Sequence, residues 1–547
     1  MRFLRPSLLV VPLCFIAACS KGDPKLKVEP ASLDYGLNDT TRFLTITNTG
    51  DDGGIFKSGV KDLNFSLTSD SAWISVVPTS GVCAKDQTVN VTATINRSIM
   101  QDGANLAAID VSSNGGEDVV VVSANNADTK PPVVTWVIPA AGIDTLFVFE
   151  TDTTTIELQA VDTAGIVTKV DVFVGGTLDT SLTVAPYRAL IDLSGVANNR
   201  STRIYAVATD TAGNTGSTAD TLRFVRSLPP ATATWRLLTP GRKPVAREDH
   251  TLSLDVARNR AVCFGGFSVV TLSRLNDLWS FDFATDNWDS LSFVDDMITP
   301  ALPPRRDHAA SVLSDSLLVM GGEAGPSDSL RQDFGIFDFA TGTWRIAFLP
   351  DLPTSTLPAA TVGNRVYAYG GKLGTSGLPD PSDRLWIYDG GTASWSFSTG
   401  HLPGLRRSPA LAADLEGDRL FVYGGVSQGS GGGPTDSSNY RYTLGSGPWI
   451  STLAPGPPPL DETAVVYDSL NNRIVLWGGT DSQGGASAEV WEFSLGAQRW
   501  RRIPTTGTPP TGRAGHQMVI DAARTRVIIF GGRASGASTD ETWELKW

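Results

Sequence analysis

Arg260-Ala-Val-Cys-Phe-Gly-Gly266 and, after it, Asp277-Leu-Trp-Ser-Phe-Asp-Phe-Ala-Thr-Asp-Asn-Trp288 decide the fold. An apolar run ends on two glycines. A second run alternates aromatic and polar residues, and a lone Trp follows a polar turn. Alternation with a period of two marks strands with one buried face. The pattern recurs: glycine pairs start at Gly265, Gly321, Gly370, Gly424, Gly478 and Gly531, 49 to 56 residues apart. The late Trp returns as Trp288, Trp344, Trp395, Trp449 and Trp500. One repeat is therefore four short strands, a to d, and the C-terminal region is an array of six. The last repeat reaches only its third strand at Trp547, while an orphan Trp235-Arg-Leu-Leu stands ahead of the first. The spacing predicts that this segment supplies strand d of the sixth repeat and closes a ring, which removes the exposed edge.

The grammar of these repeats resembles kelch. The resemblance rests on the glycine pair, the aromatic ahead of the late Trp, and Arg-x-x-His at Arg247–His250, Arg305–His308 and Arg513–His516. Repeats three to five lack the Arg-x-x-His phrase, and Gly335 stands where other repeats carry Trp or Tyr. The resemblance implies an all-β chain ending in a six-bladed kelch β-propeller over residues 230–547. Two β-sandwiches are expected ahead of it. Residues 27–127 carry short alternating runs, and the phrases Val28-Glu-Pro-Ala-Ser-Leu-Asp-Tyr-Gly and Ala72-Trp-Ile-Ser-Val-Val-Pro-Thr-Ser-Gly resemble BACON-type Ig-like domains. Residues 128–229 resemble bacterial Ig-like and cadherin-like modules, with an internal echo in Asp162-Thr-Ala-Gly and Asp210-Thr-Ala-Gly. Carboxylates ligate Ca²⁺ in some stacks of that kind, but Asp-x-Ala-Gly also reads as a plain turn, and no set of six oxygen ligands stands out. The expectation is no metal and no cofactor.

Residues 1–18 carry Arg2 and Arg5 and then an apolar run, Leu8–Ala18, too short to span a bilayer. Ile16-Ala17-Ala18-Cys19 resembles a bacterial lipobox, which implies cleavage, lipidation of Cys19 and a tether over 19–26. Ser20, in place of an Asp at that position, leans the expected location to the outer membrane, on the surface or the periplasmic side. The 547 residues carry a net charge of −13, which argues against a nucleic-acid partner. With 41% hydrophobic and 18% charged residues the chain is globular in composition. Cys83 and Cys263 fall in different modules, so no disulfide is expected.

Antiparallel pairing puts the loops before strand a and between strands b and c on one face. Arg247, Arg305, Arg306, Arg406, Arg407 and Arg513 gather there. One reading is a channel mouth binding an acidic sugar or peptide, since guanidinium forks match carboxylates. The other is that these arginines pair with acids of the protein and fix the blades. On the opposite face, Asp255, Asp414, Asp468 and Asp521 precede Arg260, Arg419, Arg473 and Arg526 by five residues, a spacing for ion pairs across a hairpin. Trp73 offers a flat face for a sugar, or a plug for the sandwich core. Galactose-oxidase-like enzymes use kelch propellers with two His, two Tyr and a Cys at copper. Here three of four His, His250, His308 and His516, belong to the repeat phrase, His401 stands alone, and Cys263 sits within a strand. A sialidase-like site has no assignable arginine triad. The expected function is non-catalytic binding of a glycan or protein by an envelope lipoprotein. A periplasmic scaffold and a propeller enzyme are the alternatives.

Overall fold

The computed structural model describes residues 21–52, 59–140, 142–149, 151–219, 221–296, 300–325, 329–349, 355–373, 380–399, 403–414, 418–427, 438–444, 449–452 and 455–547. Cys19, its lipobox and His401 lie outside them. The regular structure described is β, with two short 3₁₀ turns and no helix long and apolar enough to cross a membrane.

The chain falls into two compact units: residues up to Ile143 with Thr155–Ala189 and Ile204–Thr221, and Asp144–Thr154, Leu190–Arg203 and Leu222–Trp547. In the first, Leu26–Glu29, Thr41–Asn48, Thr88–Ile95 and Ile74–Val77 form one sheet, and Ser32–Asp34, Gly116–Asn126, Gly103–Ser113, Leu63–Ser69 and Ser80–Cys83 form another. Alternate residues of both, among them Leu44, Ile46, Phe65, Ile109 and Val122, share one core. Trp73 packs, partly buried, against that core, so its ring fills the interior more than it faces a ligand. Cys83 and Cys263 are free and buried.

In the second unit, among the described residues, five of the repeats form four-stranded antiparallel sheets, and the sixth forms a five-stranded sheet in which Thr505–Thr506 adds a short parallel edge. Sheet 1 is Thr251–Asp255, Arg260–Ser268, Ser273–Asp282 and Asn287–Leu291. The first strands of successive sheets, starting at Thr251, Ala309, Ala359, Ala410, Ala464 and Gln517, neighbour one another in a closed circle. The sixth sheet takes its outer strand from Ala233–Leu238, which pairs antiparallel with Thr542–Lys546. Segments of the second module join this unit too: buried Asn199 donates to the Asn471 carbonyl at 2.9 Å and accepts from Ser494 Oγ at 2.7 Å.

Each late Trp closes a seam with the preceding sheet. Trp288 meets Phe530 at 4.7 Å between ring centres, Trp344 meets Phe264 at 5.3 Å, Trp449 meets Tyr369 at 5.1 Å, and Trp500 meets Tyr423 at 5.2 Å. Trp235 meets Trp477 at 5.3 Å and so occupies the place of the sixth late Trp. Each buried Trp removes about 200 Å² from water, several kcal/mol before entropy costs. Gly335 breaks the aromatic pattern because a Cβ there would stand 2.9 Å from both Leu302 and Trp344.

The first glycine of a pair lies where the next sheet arrives. At Gly478, φ is +73°, and a Cβ would meet His516 Cε1 at 2.3 Å and the Arg513 carbonyl at 2.8 Å. Gly531 has the same relation to His250 and Arg247. Both the dihedral and the contact exclude a side chain.

Candidate functional site

The three residues that open each repeat separate into three layers. The first are Arg247, Arg305, Arg406 and Arg513, all buried. Arg247 donates from both Nη atoms to Asp277 at 2.8 Å and from Nη1 to the Gly265 carbonyl at 2.9 Å. Arg305 does the same with Asp333 at 2.7 and 3.2 Å and the Gly321 carbonyl at 2.8 Å. Arg513 reaches Glu541 at 2.7 Å and the Gly531 carbonyl at 3.3 Å. The strand c Trp donates its indole N–H to the same acid: Trp279 to Asp277, Trp543 to Glu541. Arg406 lies over the Tyr440 ring, 5.6 Å from its centre, and donates to the Pro403 carbonyl. These side chains therefore point into the sheets, away from the expected acid-binding ring. For Arg247, Arg305 and Arg513 the reason is the acid at the start of strand c, 28 to 30 residues on, which Arg247 and Arg305 meet bidentately.

The second layer bridges to the b–c segment of its own sheet, as Arg306 with Glu323 and Arg407 with Val426. Arg306, partly exposed, donates to Glu323 at 3.1 Å, and Glu323 also accepts from Lys372 at 3.0 Å.

The third layer lines the axis. Asp249, Asp307, Thr356, Ser408, Glu462 and Gly515 all adopt positive φ, between 49° and 67°. The amide of Asp307 donates to the Asp249 carbonyl, that of Thr356 to Asp307, that of Ser408 to Thr356, and that of Asp249 to Gly515, at 2.7 to 2.9 Å. With the Gly515 amide donating to the Glu462 carbonyl at 3.4 Å, this backbone chain stitches the sheets together at one end of the channel. It borders a cavity of about 200 Å³, floored by His250 and His308 and by Leu252, Ala310 and Met518. A second cavity of about 460 Å³ continues beyond the same girdle, lined by apolar residues such as Leu254, Val312 and Val466.

Carboxylates occupy the mouth, with bases around them. Burial, then repulsion from Glu323 and Glu462, pushes the Asp307 carboxyl up to about 7, against Lys372 and Arg306. Burial and Asp307 raise Asp249 well above the usual range. Asp461 rises to about 7 through burial and Glu462. Glu462 is held by Arg533 at 2.9 Å. Burial drives the histidine pKa values down, to about 3 for His308 and His516, so the floor is neutral. Cys263 is likewise inert, its thiol pushed up to about 12 by burial. In the sequence the axial carboxylates read only as acids adjacent to the arginines, available to pair with them. Aligning the six repeat starts and reading their third column (Asp, Asp, Thr, Ser, Glu, Gly) would have found them.

A stability measurement checks this field. The folded state keeps a proton on Asp307 that the unfolded chain releases near pH 4. The group's contribution is thus present below pH 4 and lost as pH rises through 7. Asp307→Asn is expected to raise Tm over wild type at pH 8 by a few degrees, on the order of 1–3 kcal/mol, and by much less at pH 5. An equal shift at both pH values would show that Asp307 titrates normally.

On the opposite face the Asp–Arg hairpins form as the spacing indicates: Asp255–Arg260 at 3.0 Å, Asp414–Arg419 at 3.7 Å, Asp468–Arg473 at 2.8 Å and Asp521–Arg526 at 2.9 Å. Arg365, with no such Asp, pairs with Asp389. At the c–d turns, Asp282 and Asp338 accept amide N–H groups two and three residues on.

Residues 211–355 and 412–547 match the model of the KLHDC2/KLHL20/DRC7 Kelch-repeats domain, just over half of the chain. The chain belongs to the kelch-repeat family. Ahead of the kelch region, residues 25–126 match the Viral BACON domain and 132–206 the Bacterial Ig domain. Among curated proteins the chain is similar to Host cell factor homolog hcf-1 of Caenorhabditis elegans, 25% identical over 45% of this chain and 34% of that protein. It is 26% identical to N-(sulfonatooxy)prop-2-enimidothioate sulfolyase of Thlaspi arvense, over 42% and 70%. It is 28% identical to Rab9 effector protein with kelch motifs of Homo sapiens, over 36% and 54%. The alignments thus span between 34% and 70% of these relatives' lengths.

Proposed function

We propose that this kelch protein is a non-catalytic binding protein. Its six-bladed propeller receives a basic side chain of a protein partner at the axial mouth, between Asp249, Asp307 and Glu462. The observation that carries this reading is the pair of half-buried carboxylates Asp249 and Asp307 bordering an open cavity, with pKa values raised by burial and then by repulsion from neighbouring acids. A Lys or Arg would relieve that repulsion at a desolvated site, where a charge pair counts for more than on an open surface. Arg306, Lys372, Arg407 and Arg533 around the mouth would meet acids flanking that residue. The similarity to a protein named as a Rab9 effector favours a protein over a glycan, as does the packing of Trp73. The lipobox at Cys19 supports attachment to the bacterial outer membrane, with residues 27–127 and 128–229 as modules between anchor and propeller. The sulfolyase relative and the two carboxyls near 7, Asp307 and Asp461, are the two observations that favour a propeller enzyme instead.

The test is a paired array of peptides and glycans probed with the purified chain and with Asp249→Asn/Asp307→Asn. Basic peptides are expected to bind and to lose at least about tenfold in affinity in the variant. Retention of acidic peptides or glycans by both proteins alike would overturn the assignment.

A further inference from the structure

Asp162-Thr-Ala-Gly and Asp210-Thr-Ala-Gly each read as a turn, and each does turn. The fold also brings them together with Asp128, two residues beyond the strand Gly116–Asn126, so that carboxylate oxygens of the three lie within 4.8 Å of one another. Each carboxylate is divided in the same way. Oδ1 of Asp128 accepts the Lys130 amide at 3.1 Å, Oδ1 of Asp162 the Ala164 amide at 3.0 Å, and Oδ1 of Asp210 the Asn214 amide at 2.8 Å. Asp210 Oδ2 takes the Asn214 side-chain amide at 2.9 Å. Oδ2 of Asp128 and of Asp162 are wholly buried and accept no hydrogen bond. Gly165 stands directly over them: a Cβ there would lie 2.4 Å from Asp128 Oδ2 and 2.8 Å from Asp162 Oδ2. The Lys130 amine is directed to Asp102, at 4.0 Å.

Two bare carboxylate oxygens buried side by side are costly unless a cation lies between them. We propose that Asp128, Asp162 and Asp210 bind a divalent cation, Ca²⁺, through their inward oxygens. An all-oxygen donor set excludes metals that favour imidazole or thiolate, and Ca²⁺ accepts irregular sets completed by water or carbonyls, where Mg²⁺ demands a regular octahedron. The ion would tie the segment that leaves the first module to both turns of the second, because Asp128 lies in the connection and the other two in the module that follows.

The experiment is calorimetric titration of the EDTA-stripped, full chain with CaCl₂, with MgCl₂ in parallel. One site is expected, with Kd on the order of 10⁻⁵ to 10⁻³ M, weaker for Mg²⁺, and Ca²⁺ raises the Tm. Asp128→Asn/Asp162→Asn removes the binding heat. Gly165→Ala keeps every charge, has no positive φ to strain, and weakens binding at least tenfold by filling the space. Absence of heat in wild type at millimolar CaCl₂ overturns the proposal. So does a Gly165→Ala chain that binds as wild type does, and that variant decides the matter if the double variant does not fold by circular dichroism.

Discussion

Deleting residues 233–238 is expected to lower the Tm of the propeller by more than about 10 °C and to make it associate. The segment pairs with Thr542–Lys546 over five residues and buries Ala233, Trp235 and Leu238. Arg236 also donates to Glu544 at 2.9 Å, a carboxylate that buried Arg526 holds at 2.6 Å. Removing the strand therefore exposes an unpaired edge, strips the Trp235–Trp477 seam and leaves Glu544 with one partner fewer. Loss of the Trp235 ring alone is worth about 3–5 kcal/mol, and the open edge is a template for intermolecular pairing. Trp235→Ala should accordingly reproduce a large part of the loss without association. A deletion variant that melts with wild type would mean that the ring is held shut elsewhere.

Arg305→Met is expected to destabilise the propeller by about 3–5 kcal/mol, the usual cost of removing one partner from a buried ion pair. In a unit of this size that is a fall of roughly 10 °C in Tm. Arg305 is fully buried and makes four hydrogen bonds, to Asp333 twice and to the Gly321 and Pro303 carbonyls. Its loss leaves two carbonyls and part of a carboxylate without donors inside the sheet, although Arg331 still holds Asp333. Peptide binding by the folded variant should stay within a few-fold of wild type, since the guanidinium does not reach the mouth. A variant as stable as wild type that has lost its ligand would return Arg305 to the binding surface.

The contrast between Arg305 and Asp307 shows what a sequence gives up readily. The glycine pairs, the late Trp series and the Asp–Arg hairpins have local grammar: each works through neighbours at a fixed short spacing. Trp235 was legible because its absence from the sixth repeat left a gap of known shape. The direction of the Arg305 side chain depends on Asp333, in another strand, and a cation ahead of a strand looks the same whether it faces solvent or the interior. The mouth is harder still. Asp249, Asp307, Thr356, Ser408, Glu462 and Gly515 share a dihedral angle and a place on the axis but no chemistry, so they form a site only once the ring is closed. In the same way, nothing in the turns at Asp162 and Asp210 points to Asp128.

The most direct test of the mouth is equilibrium binding of one lysine-bearing peptide from the array, measured at pH 5.5 and pH 8 in low and high salt. With its pKa pushed up to about 7, Asp307 loses its proton only towards the upper end of this range, Asp249 is shifted in the same direction by burial and Asp307, and the lysine stays charged. The account predicts affinity at least about tenfold higher at pH 8, reduced by salt, with the pH dependence gone in Asp249→Asn/Asp307→Asn. Affinity that falls on going from pH 5.5 to pH 8, or that ignores both pH and the substitutions, would contradict it.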